Sequence, residues 1–258
     1  MPSSSHDVAT YDGRDASYLA SSLDLPRVLV FDEVASTLDV THTLGERGEA
    51  AGTLVLADAQ TAGRGRLGRN WRSDRGAGIW LTLLERPARA ESLGVLALRL
   101  ALAVAPALDR FAAEPTRLKW PNDVYIAERK LAGVLVEARW RGPRLDWVAI
   151  GVGINVRPPV GFDGAGLTPG AERVEVLAAV VPALRAAARA AGLLTDEELA
   201  AYARRDLAIG RECIEPATGI VAGIRADGAL LVDTPASRIA CHAGSLVLAP
   251  ANSLGSAP

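Results

Sequence analysis

Between two short apolar runs, Thr53 to Ala57 and Gly78 to Leu84, the chain carries Gln60 to Trp71 (Gln-Thr-Ala-Gly-Arg-Gly-Arg-Leu-Gly-Arg-Asn-Trp). Both runs have the length and composition of buried strands, so what lies between them must leave a sheet and return to it. Three glycines let that backbone bend and approach a ligand closely, and Arg64, Arg66 and Arg69 offer fork-shaped donors suited to phosphate or carboxylate. Such a loop suits an anion. A solvated Arg/Gly turn, or a segment holding nucleic acid through charge, has the same composition. The rest of the chain must decide between them.

The 258 residues, 49% hydrophobic and 22% charged, suffice for one large domain, or one plus a small appendage. A net charge of -2 carries no general attraction for nucleic acid, so basic function has to be local. Two cysteines, Cys213 and Cys241, without a secretory leader pattern, predict neither a disulfide framework nor a cysteine zinc site, and a cytoplasmic location. The longest apolar run, Leu93 to Leu108, is interrupted by Arg99 and Pro106 and falls short of the roughly 20 residues of a membrane span. It is expected as a buried helix.

Residues 1–24, rich in Ser, Asp and Ala, are expected to form a tail or one short helix, with no room ahead of the core for a helix-turn-helix domain. Arg27 to Phe31 predicts the first strand. Ser36-Thr37-Leu38-Asp39 opens a helix toward Gly48, with Ser36 as N-cap and an acid in the first turn. Residues 91–113 follow a helical pattern broken or kinked near Pro106.

A second cluster is Leu118-Lys119-Trp120-Pro121-Asn122-Asp123-Val124-Tyr125, followed by Arg129-Lys130-Leu131-Ala132-Gly133-Val134-Leu135-Val136-Glu137. It predicts a strand stopping at Pro121, a turn carrying Asn122 and Asp123, and a strand beginning at Lys130. A third, Ile150-Gly151-Val152-Gly153-Ile154-Asn155-Val156, sets two glycines on an apolar strand, where a backbone or a planar ring can approach. Asn155 at its end can both donate and accept.

Together the clusters resemble the biotin protein ligases, on Gly63-Arg64-Gly65-Arg66 with Gly68-Arg69 and Trp71, Lys119-Trp120-Pro121-Asn122-Asp123, Lys130-Leu131-Ala132-Gly133 and Gly151-Val152-Gly153-Ile154-Asn155. One departure is Leu38, where the family pattern is Ser-Thr-Asn. The resemblance implies an α+β fold: a mixed, class II synthetase-like sheet with helices on one face over residues 25–208, and a small SH3-like barrel over 209–258. It also implies a monofunctional enzyme that joins biotin to ATP as biotinyl-5′-AMP, with Mg²⁺ shielding the pyrophosphate, and then biotinylates a lysine of a biotin carboxyl carrier protein. Nucleic acid and membrane are not expected as partners, and a monomer or weak homodimer is.

The same resemblance assigns roles. Lys130, Arg66 and Asp123 are the expected catalytic residues. Ser36, Thr37, Gln60, Gly63, Arg64, Arg69, Trp71, Lys119, Asn122, Gly133, Gly153 and Asn155 complete the substrate site, with adenine near Gly153 and Asn155 and the Gly/Arg segment as a lid plugged by Trp71. Lipoate and octanoate transfer enzymes are the enzymatic alternative, and a nucleic-acid binder using the Gly/Arg loop is the non-enzymatic one.

Beyond Asn155, Arg157 to Gly170 reads as a loop, and Glu172 to Ala191 and Thr195 to Asp206 as helices, the second with a Thr195/Glu198 capping box. Gly219 to Arg225 and Leu230 to Thr234 read as strands about an Asp227-Gly228 turn. No metal site is expected from Cys213, Cys241 and His242.

Overall fold

The apolar runs become strands of one seven-stranded sheet in the computed structural model, which describes residues 10–87 and 90–250. In chain order come β1 (Thr10–Tyr11), β2 (Arg14–Asp15), α1 (Ala16–Ser22), β3 (Arg27–Val34), α2 (Thr37–Glu46), β4 (Thr53–Gln60) and β5 (Gly78–Glu85). There follow α3 (Leu93–Leu108), β6 (Arg117–Lys119), β7 (Asp123–Ile126), β8 (Arg129–Arg141), β9 (Arg144–Asn155), α4 (Arg173–Arg189) and α5 (Asp196–Arg205). Last are β10 (Glu212–Glu215), β11 (Gly219–Ile224), β12 (Leu230–Asp233), β13 (Arg238–Cys241) and β14 (Val247–Leu248).

The large sheet runs β3-β4-β5-β9-β8-β7-β6. Only β3 and β4, joined through α2, are parallel, because a parallel pair needs a crossover while the later strands turn back directly. One face, with Ile79, Leu81, Leu83, Ile150 and Ile154, packs under α3 and α4. Each of these fully buried side chains contributes about 1.5–3 kcal/mol. This is the expected helical layer. The apolar α3, which with its flanking turns reaches a mean hydropathy of 1.6, is spent on that core. Helix α2 lies against the other face, over the smaller cluster of Phe31, Val34, Leu44, Val55 and Ala57.

Register builds the site. Ala57, Trp80, Gly153, Gly133, Asp123 and Lys119 are successive cross-strand partners and so share one face. The next row holds Val55, Thr82, Gly151 and Leu135. Three glycines therefore clear a trough beside α2.

Of the tail or one short helix expected over residues 1–24, the described part holds the helix, α1, and it is packed rather than loose: Tyr11 and Leu19 are buried in the main core, Asp15 caps α1, and Arg173 reaches back to Asp12 and stacks on the Tyr11 ring. Residues 1–9, and residues 251–258 of the expected barrel, lie outside the described residues. One expectation is corrected: the single hairpin expected around Asn122 and Asp123 is two, β6–β7 turning at Pro121 and Asn122 and β7–β8 turning at Ala127 and Glu128. Asp123 therefore starts a strand, paired with Lys119 on one side and Gly133 on the other.

The strands from β10 onward form a separate antiparallel sheet, β13-β12-β11-β10-β14, with the predicted turn between β11 and β12. Its Cys213, Val221, Leu230 and Val232 join the main core. The Trp120 indole N–H donates to Gly228 O at 2.9 Å, and Gly228, with φ +82°, packs on Val95 of α3.

Candidate active site

Over the glycine trough lies a cavity of about 1100 Å³, just above the usual range for small-molecule sites. Ser36, Thr37, Gln60, Gly63, Arg64, Arg66, Arg69, Trp71, Lys119, Asn122, Asp123, Lys130, Gly133, Gly153 and Asn155 all line it. So do residues that sequence reasoning had not singled out for it, among them Leu38, Ser73, Phe162 and Leu246. A second hollow of about 1110 Å³ shares Arg69, Lys119 and Tyr125 with the first and continues onto the small sheet past Arg211 and Val247.

One end is a closed polar network. Ser36 caps α2, its hydroxyl accepting from Leu38 N at 3.4 Å. Gln60 Oε1 accepts from Thr37 N at 2.9 Å and Thr37 Oγ1 at 3.1 Å, and its Nε2 donates to Ser73 Oγ at 2.7 Å. Thr82 Oγ1 donates to Thr37 Oγ1 at 2.7 Å. The network joins the start of α2 to the end of β4 and the far side of the Gly/Arg loop. Thr82 had one signal in the sequence, as the single hydroxyl in the apolar run Gly78 to Leu84. Beside it Leu38 forms an apolar wall, in contact with Gly151, where a Cβ would lie 3.3 Å from Leu38 Cδ2.

The planar ring admitted by the strand glycines is the loop's own. A Cβ on Gly153 would come within 2.5 Å of the Trp71 indole, and one on Gly133 within 3.2 Å. Trp71 also meets Trp80 edge-on at 6.5 Å, and Lys130 Nζ lies 5.0 Å from a Trp71 ring centre. The surface of Gly153 is thus covered by Trp71, while Gly153 and Asn155 both line the cavity. Asn155 is buried and its Nδ2 donates to Lys130 O at 3.3 Å. The loop closes on itself through Gly65 N to Arg69 O (2.7 Å) and Trp71 N to Gly63 O (2.9 Å), leaving Leu67 exposed at its tip with φ +55°.

At the other end the cations gather around one carboxylate. Lys130 Nζ is 2.8 Å from Asp123 Oδ1. Lys119 stands 5.4 Å from the Tyr125 ring centre; burial holds its pKa below the ordinary lysine value, Asp123 opposes that shift, and Lys130 adds to it. Arg66 donates to Asn122 Oδ1 at 3.4 Å and Gly244 O at 3.3 Å, and burial lowers its pKa too. Asn122 is anchored by its Nδ2 donating to Val134 O at 2.7 Å. Arg64 does not join this group: its guanidinium lies 2.6 Å from Asp39 and 3.4 Å from Glu137, on the α2 side. Like charges crowded into partly desolvated space favour the arrival of an anion, and this end can offset negative charge that develops on a carboxylate or phosphate.

The sequence profile of the biotin/lipoate A/B protein ligase family matches residues 31–155, the stretch from β3 through β9 that carries every one of the expected site residues. The biotin protein ligase of Aquifex aeolicus, solved in complex with biotin and ATP, is 31% identical, superposes with a TM-score of 0.73, and is matched over 98% of its length by 86% of this chain. The chain belongs to the biotin/lipoate A/B protein ligase family.

Among curated members of the family, the bifunctional ligase/repressor BirA of Bacillus subtilis is 40% identical over 130 residues, 50% of this chain and 40% of that protein. The biotin–[acetyl-CoA-carboxylase] ligase of Paracoccus denitrificans is 39% identical over 119 residues, 45% of this chain and 50% of that one. The chain thus spans about half the length, or less, of these relatives.

Proposed function

We propose that the chain is an ATP-dependent biotin protein ligase. The observation that carries this reading is the make-up of the cavity: a hydrogen-bonded polar end beside an apolar wall, and a cationic end at Lys119, Lys130 and Arg66, with the Gly/Arg loop over both. An apolar acid with a polar head fits the first part, and its carboxylate would then meet a nucleotide phosphate at the second. Similarity to a ligase solved with biotin and ATP supports the same assignment.

In the first step a biotin carboxylate oxygen attacks the α-phosphorus of ATP, the bond to the bridging oxygen breaks, and pyrophosphate leaves with the electron pair. Lys130 and Lys119 offset the like charges that must approach, Arg66 holds the adenylate side, and Asp123 keeps Lys130 oriented. In the second step an acceptor amine attacks the acyl carbon, AMP departs, and the amine sheds a proton. Trp71 and the loop exclude water between the steps. Among the described residues no three His, Cys, Asp or Glu side chains converge to hold a metal ion, so Mg²⁺ would arrive on the nucleotide phosphates.

The acceptor under this reading is a lysine of a biotin carboxyl carrier protein, and the setting a cytoplasmic monomer or weak homodimer without nucleic acid or membrane partners. Biotin-dependent exchange of labelled pyrophosphate into ATP tests the first step, with lipoate and octanoate alongside. Exchange with biotin alone is expected, and exchange only with lipoate or octanoate overturns the assignment.

A further inference from the structure

Behind the Arg64 side of the cavity lies a chain of polar side chains that the reaction above does not use. The Trp147 indole N–H donates to His42 Nδ1 at 3.2 Å, and His42 Nε2 is 2.7 Å from Glu137 Oε2. An indole nitrogen only donates, so Nδ1 must accept and the ring proton sits on Nε2, directed at Glu137. The other Glu137 oxygen lies 3.4 Å from Arg64 Nε, an ion-pair contact rather than a hydrogen bond. Arg139, 3.9 Å from Oε2, is the remaining cation facing that carboxylate. His42 and Trp147 are buried, and neither they nor Glu137 lines the cavity.

Arg64 is also the loop's attachment point. Its backbone bridges to Asn70, next to the Trp71 that lies on Gly153. Asp39, one helical turn before His42 on α2, holds the guanidinium from the other side at 2.6 Å. Its side chain is 54% exposed against 24% for Glu137, so solvent screens its contribution more. We infer that Glu137, itself oriented by His42 and Trp147, is a positioning residue that holds Arg64 and through it keeps the Gly63–Trp71 loop closed over the cavity. The role assigned to the closed loop rests on the ligase reading; the latch itself does not.

Amide hydrogen exchange of residues 61–72 in the ligand-free protein measures the latch without any activity. Glu137→Gln and His42→Leu should raise exchange there about tenfold while amides of β5 and β9 stay at the parent's level. His42→Gln should stay near the parent, since its amide can still donate to Glu137 and accept from Trp147. With Arg64→Met already present, Glu137→Gln should add no more than about a twofold change. Loop exchange unchanged in Glu137→Gln, or an undiminished effect of Glu137→Gln in the Arg64→Met background, overturns the proposal. Pyrophosphate exchange is run on the same proteins: a rise in KM for biotin larger than the fall in kcat is expected. Loosened loops in chains that show no biotin-dependent exchange at all leave the latch standing and remove the ligase reading.

Discussion

Lys130 and Asp123 meet at 2.8 Å across the β7–β8 hairpin, and the same ammonium faces the Trp71 ring. One lysine thus joins the sheet, its counter-charge and the loop at the place where two anions would have to react. Lys130→Ala is expected to lower adenylate formation by about two to four powers of ten, the range for losing an electrostatic stabiliser. Thermal unfolding should change little. A protein with normal unfolding and pyrophosphate exchange within a few-fold of the parent would assign Lys130 to the surface.

Asp123→Asn tests the counter-charge through pH. Burial first, then Lys130, lowers the Lys119 pKa, and Asp123 opposes them. The charged form is present at low pH and is lost as pH rises through the lowered value. Adenylation that needs the cation should therefore decline on the alkaline side earlier than for an ordinary lysine. Removing the Asp123 charge withdraws the larger of the two opposing influences, Glu128 being the other, and the decline should move to still lower pH. An alkaline limb at the same pH in parent and Asp123→Asn, read from kcat/KM profiles, contradicts the assignment.

Gly153→Ala and Gly151→Ala form a matched pair. A Cβ at 153 would stand 2.5 Å from the indole of Trp71, whereas one at 151 would stand 3.3 Å from the flexible end of Leu38. The first should displace the ring, at about 1–3 kcal/mol for a forced contact, and the second should cost less than about 1 kcal/mol. Loop exchange over residues 61–72 is expected to rise in the first variant only. Equal behaviour of the two would mean that Trp71 does not rest on β9 in solution.

Arg66→Gly cuts the tie from the loop to Asn122 and Gly244 and adds backbone freedom. The open loop should gain population, and activated biotin should escape before transfer. Escaped acyl-adenylate acylates any deprotonated amine it meets, so the variant should label an unrelated lysine-rich protein that the parent leaves alone. Adenylate made at a measurable rate without extra bystander labelling would show that the loop does not retain it.

Most of the site was legible because its residues come in contiguous clusters, each with a local physical signature: glycines where backbone or ring approaches, arginines in a flexible loop, and a Ser-Thr pair at a helix start. Tyr11 and Leu19 were not, since they are buried in a core assembled from distant parts of the chain: Arg173, which lies over the Tyr11 ring, is 161 positions from the Asp12 it bonds. Asp123 was placed in a turn because turn statistics weigh Asn-Asp as a pair, while the sheet's register takes only Asn122 into the turn and Asp123 into the strand. His42 and Trp147 are 105 residues apart in sequence, and no local window holds both halves of their hydrogen bond. The departure at Leu38 was visible, but its contact with Gly151 becomes apparent only once α2 is laid across β9.

The bond from Trp120 to Gly228 bears on how the molecule can be cut and recombined. The tryptophan belongs to the same short segment as Lys119, Asn122 and Asp123, and its partner sits on a turn that also rests on α3. A truncation before β10 would strip a hydrogen bond and apolar cover from beneath the reactive segment itself, so the small sheet is not an interchangeable appendage. Chimeras that swap it between related chains should keep the Gly228 turn with its own Trp120 and Val95, and insertions are better directed to the exposed Arg141–Arg144 hairpin at the opposite end of β8 from Lys130.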